Sequence, residues 1–378
     1  MHSERVKILG IAPYTFLPAL SGGQRGIHFF YKYLGVLEHT IVASTKNNDG
    51  QFADNYKLLK VFSSKKSRYA NPLYLFTLRK LIINEKITHL ILEHPYMGWL
   101  GILLKKLTKI KLIVRSHNIE GLRFKSTNNW WWQLLLRYEK FVHQQSDINF
   151  FISVEDKLYA QTHFNLRQEK CFTITYGTEK SSASPPYVKA KARQAINSLH
   201  QISADEVILF FNGAFNYLPN LNALKAIINH INPKLEQINR FKYKIIICGI
   251  DIPEEYTHSP SWAKKNILFL GFVPDISLYF LAADIFINPV IEGGGIKTKL
   301  VEALAYGNSA VSTKSGAIGI PPDCAKNKMA IVEDNNWDQF ATAIVQMDTN
   351  LPTNEAFFEH FYWGNIAQHA VNAINTSI

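Results

Sequence analysis

Short, near-continuously apolar runs rich in β-branched residues alternate with amphipathic stretches along the chain, and the alternation occurs twice. Up to residue 180 the runs fall at 6–12 (VKILGIA), 39–44, 88–94, 111–117, 147–153 and 172–176, between helical stretches at 24–35, 71–85 and 130–145. From 190 onward they fall at 207–213 (VILFFNG), 244–249, 266–271, 284–290 and 309–313, between helical stretches at 221–239, 275–283 and 296–306. A strand apolar at every position must be covered on both faces, which is the condition of a parallel sheet between layers of helices. Two such arrays predict an α/β chain of two Rossmann-like, doubly wound domains, at 1–180 and 190–353, with ligands at the carboxyl ends of the strands. The Ser-, Pro- and Lys-rich segment 178–192 (TEKSSASPPYVKAKA) reads as the linker, and a last helix is expected over 354–378.

Composition narrows the class. With 47% apolar and 19% charged residues in 378, the chain has enough apolar surface for two cores. Cys171, Cys248 and Cys324 are odd in number, widely spaced and in no CxxC pair, which argues against a disulfide framework or a zinc site. The start, MHSERVKILGIAPY, lacks the apolar stretch of a signal peptide, and no run reaches the roughly 18–20 apolar residues of a membrane span, so a soluble, cytoplasmic protein is expected. The charge is lopsided: residues 1–180 carry 26 Lys and Arg against 13 Asp and Glu, while the remainder is slightly acidic and the total is +11. Only the first half is therefore expected to meet an anionic surface.

The densest chemical signal lies at 288–307, NPVIEGGGIKTKLVEALAYG. A buried strand ends at Pro289, Gly293, Gly294 and Gly295 make a turn, and a helix is expected from about Ile296. Glycines let the backbone approach a ligand closely, and amides at a helix start hold phosphate oxygens. Lys297 and Lys299 add positive charge to the first turn, and Glu302 stands further along, where a carboxylate can accept hydrogen bonds from ribose hydroxyls. His117 closes a strongly apolar strand, and Glu93 with His94 closes the preceding one. No Asp-x-Asp, HxH or CxxC occurs, so neither a metal nor another cofactor is expected.

The pattern Pro-x-x-x-Gly-Gly-Gly-x-Lys-x-Lys-x-x-Glu-Ala-x-Ala-x-Gly resembles the donor-site motif of the family 4 retaining glycosyltransferases, in particular a triple-glycine subgroup common in bacterial surface-polysaccharide clusters. Other segments follow in that family's order: Pro18-x-x-Ser21-Gly22-Gly23-Gln24-Arg25 after the first strand, His117-Asn118-Ile119-Glu120, Asp147 with Ser153 and Asp156, Gly213 with Pro219-Asn220, Gly271-Phe272-Val273, and Trp363. The resemblance implies a GT-B fold, with two Rossmann-like domains facing a central cleft, and a last helix that returns to the first domain. It implies retaining transfer of a hexose-type sugar from a nucleotide-sugar to a saccharide or lipid-linked acceptor. It places Gly213, Phe272, Val273, Gly293, Gly294, Gly295, Lys297, Lys299 and Glu302 at the donor, and Gly22, Gly23, Arg25, Glu93, His94 and Asn118 in the acceptor domain. It also implies that His117, which matches the family's histidine, contacts the transferred sugar. The chain departs from the wider family in having Gly294 eight positions before Glu302, where a glutamate is usual, and Ala214 and Pro219 where Arg and Lys are usual.

Arg123 to Lys140 (RFKSTNNWWWQLLLRYEK) sets three consecutive tryptophans among cations. They cannot share one helix face, so at least one is expected at the surface, a composition suited to an anionic membrane interface. A nucleotide-sugar epimerase on the same fold, and a catalytically silent glycan-binding protein, are the alternatives. The first strand leads to SGGQRG, not to a dinucleotide fingerprint, and no nucleic-acid-binding module is visible.

Overall fold

A computed structural model describes residues 6–238, 241–257 and 266–376. The chain divides into two compact units. Unit 1 runs through Glu179 and takes back the chain from Phe361 onward, and unit 2 is Lys180–His360. Among the described residues no helix is long and apolar enough to cross a membrane. Cys171, Cys248 and Cys324 are free and buried.

The sheet of unit 1 has seven strands, all parallel: β1 (Lys7–Ala12), β2 (His39–Thr45), β3 (Lys57–Phe62), β4 (His89–Glu93), β5 (Lys111–Ser116), β6 (Ile148–Phe151) and β7 (Cys171–Thr173), in the order β3-β2-β1-β4-β5-β6-β7. The sheet of unit 2 has six, also all parallel: β8 (Val207–Ala214), β9 (Tyr243–Ile250), β10 (Ile267–Gly271), β11 (Ile285–Asn288), β12 (Ser309–Thr313) and β13 (Met329–Val332), in the order β10-β9-β8-β11-β12-β13. These are the two doubly wound, Rossmann-like sheets expected from the run pattern. β3 and β13 escape the search for apolar runs: β3, at an edge, leaves Lys57 and Lys60 to solvent, and β13 (MAIV) is only four residues long.

Helix boundaries follow local chemistry. Ser21 caps the helix Gly22–Leu37 in a reciprocal capping box with Gln24, so Gly22 and Gly23 form its first turn and the expected start at 24 moves forward. Ser153 caps the helix Val154–His163 through the Asp156 amide at 3.1 Å. The second half of the linker segment 178–192 is helical instead, because Pro186 presets φ at the start of the helix Pro186–His200 and alanines follow. The helix expected over 221–239 is present as one continuous run, Leu218–Ala226, a π-turn at Ile227–Ile231 and Asn232–Gln237, the π-turn arising because Pro233 cannot donate to the turn before it; residue 239 lies outside the described residues.

The C-terminal segment forms two helices, Glu355–Phe361 and Trp363–Thr376, and the second packs on Gly22–Leu37. Its anchor is Trp363, fully buried against Tyr176 and Phe29 at ring-centroid distances of 5.4 and 6.5 Å. Thr178 stitches the segments together: its amide donates to the Phe361 carbonyl (2.7 Å) and its carbonyl accepts from Trp363 (3.0 Å). Gly177 is required there, because a Cβ would lie 2.7 Å from the Phe361 carbonyl oxygen.

Unit 1 also buries neutral histidines. His143 bridges the Ser116 hydroxyl (3.0 Å) and the Asn149 side-chain oxygen (2.6 Å), and burial pulls its pKa down to about 4. Burial, with Lys111 nearby, brings His89 to about 4 as well. These groups bind protons more readily unfolded than folded, so acidification from about 6.5 toward 4 favours unfolding, each fully buried histidine contributing on the order of 3 kcal/mol. Thermal melts across this window should show stability falling with pH, and His143→Gln should flatten the slope; an unchanged slope would remove His143 from the account.

Candidate functional site

In each sheet the polar side chains gather at the carboxyl ends of the central strands. In unit 1 the centre is Glu93, the last residue of β4. Its carboxylate takes the Arg115 guanidinium from β5 at 2.9 Å and the His117 Nε2 at 2.7 Å. Arg115 is 1% exposed, lies over the Phe30 ring at 4.1 Å and donates to the Gly26 carbonyl at 3.2 Å. Burial pushes the Glu93 carboxyl up, but Arg115 and the His117 hydrogen bond outweigh it and bring it to about 2. Burial, then His94 and Arg115, pull His117 down to about 4. His117 Nε2 also stands 3.0 Å from an Arg115 nitrogen, which can only donate. One ring nitrogen cannot both donate to Glu93 and accept from Arg115. The ionised carboxylate at 2.7 Å decides for donation, which leaves Nδ1 of a neutral ring with its lone pair.

His94 follows with φ 64° and ψ 162°, a conformation ordinarily left to glycine and worth about 1–3 kcal/mol of strain. That geometry sets its ring 4.3 Å from the His117 ring, stacked on Tyr96, with Nδ1 3.0 Å from Glu120. Glu120 receives the Tyr96 hydroxyl (2.5 Å), Arg123 (2.6 Å) and Asn118 (3.5 Å), and despite its burial the nearby His94 together with Arg123 and Tyr96 holds its carboxyl well below the usual range. Glu139, from the helix Trp132–Gln145, accepts the Glu120 and Gly121 amides at 2.9 and 3.0 Å and so fixes the turn after His117. Glu93, His94, His117 and Asn118 are thus brought together. Gly22, Gly23 and Arg25 sit in the first turn of the helix whose Gly26 carbonyl Arg115 holds. Arg115, Tyr96 and Glu139 are additions; a lone arginine inside an apolar parallel strand, KLIVRS, is the signal that marks the first of them.

In unit 2 the centre is Gly213 near the end of β8. A Cβ there would stand 2.7 Å from Lys299 Nζ and 3.0 Å from the Asn220 side chain. The Lys299 ammonium donates to Asn220 at 3.1 Å beside the Phe211 ring, and burial, opposed by Glu302, lowers it to about 8. Gly293 and Gly295 have φ of +85° and +69°. The helix begins at Thr298, not near 296, and Lys297 is its N-cap residue, outside the first turn where the sequence pattern sets it. The Lys297 ammonium donates to the Gly293 and Gly295 carbonyls at 3.0 Å each, so this lysine shapes the glycine loop that includes Gly294. Glu302 lies one turn into the helix. Phe272, 73% exposed, and Val273 follow β10, at the same edge of the sheet but two strands from β8. Among the described residues no group of three or more His, Cys, Asp or Glu is placed to hold a metal ion.

Removing one partner of a buried ion pair leaves the other charge stranded, at a cost of about 3–5 kcal/mol, whereas replacing both can be neutral. Glu93→Gln should therefore destabilise the chain by about that much in chemical denaturation, and adding Arg115→Met should recover most of the loss. A Glu93→Gln variant as stable as wild type would contradict this.

Residues 20–180 match the family described as Glycosyltransferase Family 4, and residues 206–350 match Glycosyl transferases group 1. No curated protein matches the sequence. Solved structures similar in fold include a glycosyltransferase from Rickettsia africae ESF-5 (16% identity, 99% of each chain covered, TM-score 0.70). Sucrose-phosphate synthase from Thermosynechococcus elongatus is similar too (16% identity, 98% of this chain and 99% of that one, TM-score 0.72). So is Anabaena HepE, solved in complex with UDP and glucose (14% identity, 98% of this chain and 100% of that one, TM-score 0.69). At such identities the likeness is one of fold, and the family rests on the two matched halves. The chain belongs to the family 4, group 1 glycosyltransferases and has the GT-B fold.

Proposed function

We propose that the chain is a retaining glycosyltransferase of surface-polysaccharide synthesis, moving a hexose-type sugar from a nucleotide-sugar to a saccharide or lipid-linked acceptor in the cytoplasm. The observation that carries this reading is the cluster at the carboxyl edge of unit 2. There Gly213 leaves room for a buried cation, Lys299, beside a loop of three glycines whose shape a second lysine holds. Such a cradle suits a diphosphate, with Glu302 on the ribose and the backbone at Phe272 and Val273 toward the base. HepE, with the same fold, was solved with UDP, which makes a uridine nucleotide the first donor to try.

In the reaction we propose, the bond from the sugar's anomeric carbon to the diphosphate breaks while the acceptor oxygen bonds to that carbon from the same face. The acceptor's proton passes to the departing phosphate oxygen. Catalysis is then positioning plus stabilisation of developing negative charge, which Lys299 and loop amides supply without a divalent ion. His117, held by Glu93 and presenting a bare Nδ1, acts on the transferred sugar. Unit 1, with Gly22, Gly23, Arg25 and Asn118, takes the acceptor side, and unit 2 the donor.

A split between binding and turnover tests the assignment. Glu302→Ala should weaken UDP by about 10- to 100-fold, the worth of a hydrogen bond to a charged group. His117→Ala should keep UDP affinity and lower kcat. Glu302→Ala binding UDP as tightly as wild type, or a folded His117→Ala with unchanged kcat, would overturn the respective role.

Lys299 adds a pH signature. Its charge is present below about 8 and lost above it. Affinity for UDP, measured by calorimetry, should fall from pH 7 to 9 while affinity for uridine holds, and Lys299→Arg should remove the slope. Parallel pH profiles for the two ligands would mean that Lys299 does not meet the diphosphate. Turnover in excess EDTA should match turnover without it.

A further inference from the structure

Three neighbouring helices cover one face of the unit 1 sheet: Leu73–Glu85, Gly98–Thr108 and Trp132–Gln145, with the middle one in contact with both others. Their inner residues, among them Leu78, Ile82, Leu100, Leu104 and Val142, join the core with β4 and β5. Their outer residues are unusual. On the first helix Phe76 and Ile83 are exposed, with Arg79 and Lys80 between them. On the second, Leu103 and Leu107 are exposed around Lys106. Leading into and along the third, Trp130 (90% exposed), Leu134 and Phe141 stand at helical spacing with Arg137 among them. Of the other two tryptophans, Trp131 packs on Phe124 and Trp132 lies under Lys125.

The acids of these helices are withdrawn from that face. Glu85 is half-buried and paired with Lys57, and Glu139 is buried on the Glu120 and Gly121 amides. What remains is a row of three stripes, each a cation flanked by large apolar side chains; the one carboxylate left partly in water on these helices, Glu85 at the end of the first, is 35% exposed beside Lys57. Scattered exposed apolar residues are ordinary, but stripes repeated on adjacent helices amount to a surface. Its charge calls for an anionic occupant. Its apolar side chains need an occupant that takes them out of water, which a bare polyanion does not do. An anionic bilayer does both: cations meet headgroups while the Trp and Leu side chains enter the acyl boundary.

We infer that this three-helix face of unit 1 docks the enzyme on the surface of a bilayer rich in anionic lipid. The inference stands on the surface alone and is independent of which sugar or acceptor the enzyme uses. The test is co-sedimentation of the full chain with phosphatidylcholine vesicles containing about 30% phosphatidylglycerol, against pure phosphatidylcholine, at roughly 0.05 and 0.5 M salt. Binding should be at least about tenfold stronger on the anionic vesicles and should weaken at high salt. The triple change Trp130→Ser, Leu134→Ser and Phe141→Ser should lower it about tenfold or more without changing the melting temperature, because all three side chains are exposed. Reversing Arg79, Lys80, Lys106 and Arg137 to Glu should abolish the preference for anionic lipid. Equal binding to both vesicle types, or anionic binding that survives both sets of changes, would overturn the proposal. So would binding to heparin as tight as to the vesicles and untouched by the serine triple, which would make the face a polyanion site.

Discussion

Parallel strands covered on both faces have little room for polar side chains along their length, and this constraint arranges nearly everything else. The strand interiors are mostly Ile, Val, Leu and Phe, with a few small or hydrogen-bonded polar residues such as Asn149 in β6, so groups able to do chemistry collect where strands stop: Glu93 at the end of β4, His117 after β5, Gly213 near the end of β8 and the glycine loop after β11. Arg115 breaks the rule from inside β5. It is tolerated because Glu93 neutralises it, Gly26 accepts from it and Phe30 lies against it. The arginine in turn holds the Glu93 carboxylate ionised, and that carboxylate fixes the protonation of His117. A single buried ion pair therefore connects sheet packing to the state of the residue that we propose acts on the sugar.

The two clusters hold charge differently. In unit 1 the carboxylates near His117 are paired, with Glu93 on Arg115 and Glu120 on Arg123, and the result is a rigid frame around a neutral imidazole. In unit 2 the buried cation Lys299 leans on a neutral amide, Asn220, and its pKa is already depressed. Such a cation gains most from an incoming anion. The first arrangement suits orientation and the second suits capture.

What can be read in the sequence tracks how local the determining physics is. Runs buried on both faces, as at 6–12 and 207–213, are unmistakable because burial dictates every residue. β3 is half solvated and broken by lysines, and β13 is too short at four residues to stand out. The glycines at 293–295 are legible as a close-approach turn, since other side chains resist positive φ there. That Lys297 spends its ammonium on two loop carbonyls is not, since the helix start lies two residues later than the pattern implies. Glu139 capping the turn at Glu120 from 19 positions away, and His94 in a glycine-like conformation, depend on tertiary placement that no spacing rule encodes. The Trp130–Trp132 cluster is readable as far as needing an exposed member; only the neighbouring helices show that it belongs to a wider face.

The buried Trp363 carries a consequence for how the molecule comes into being. Tyr176 and Phe29 precede unit 2 in the chain, yet the side chain that covers them is made only after all of unit 2. On the ribosome, unit 1 must wait with that seam open while all of unit 2 emerges and folds. Unit 1 is thus completed only by a segment that follows unit 2 in the chain.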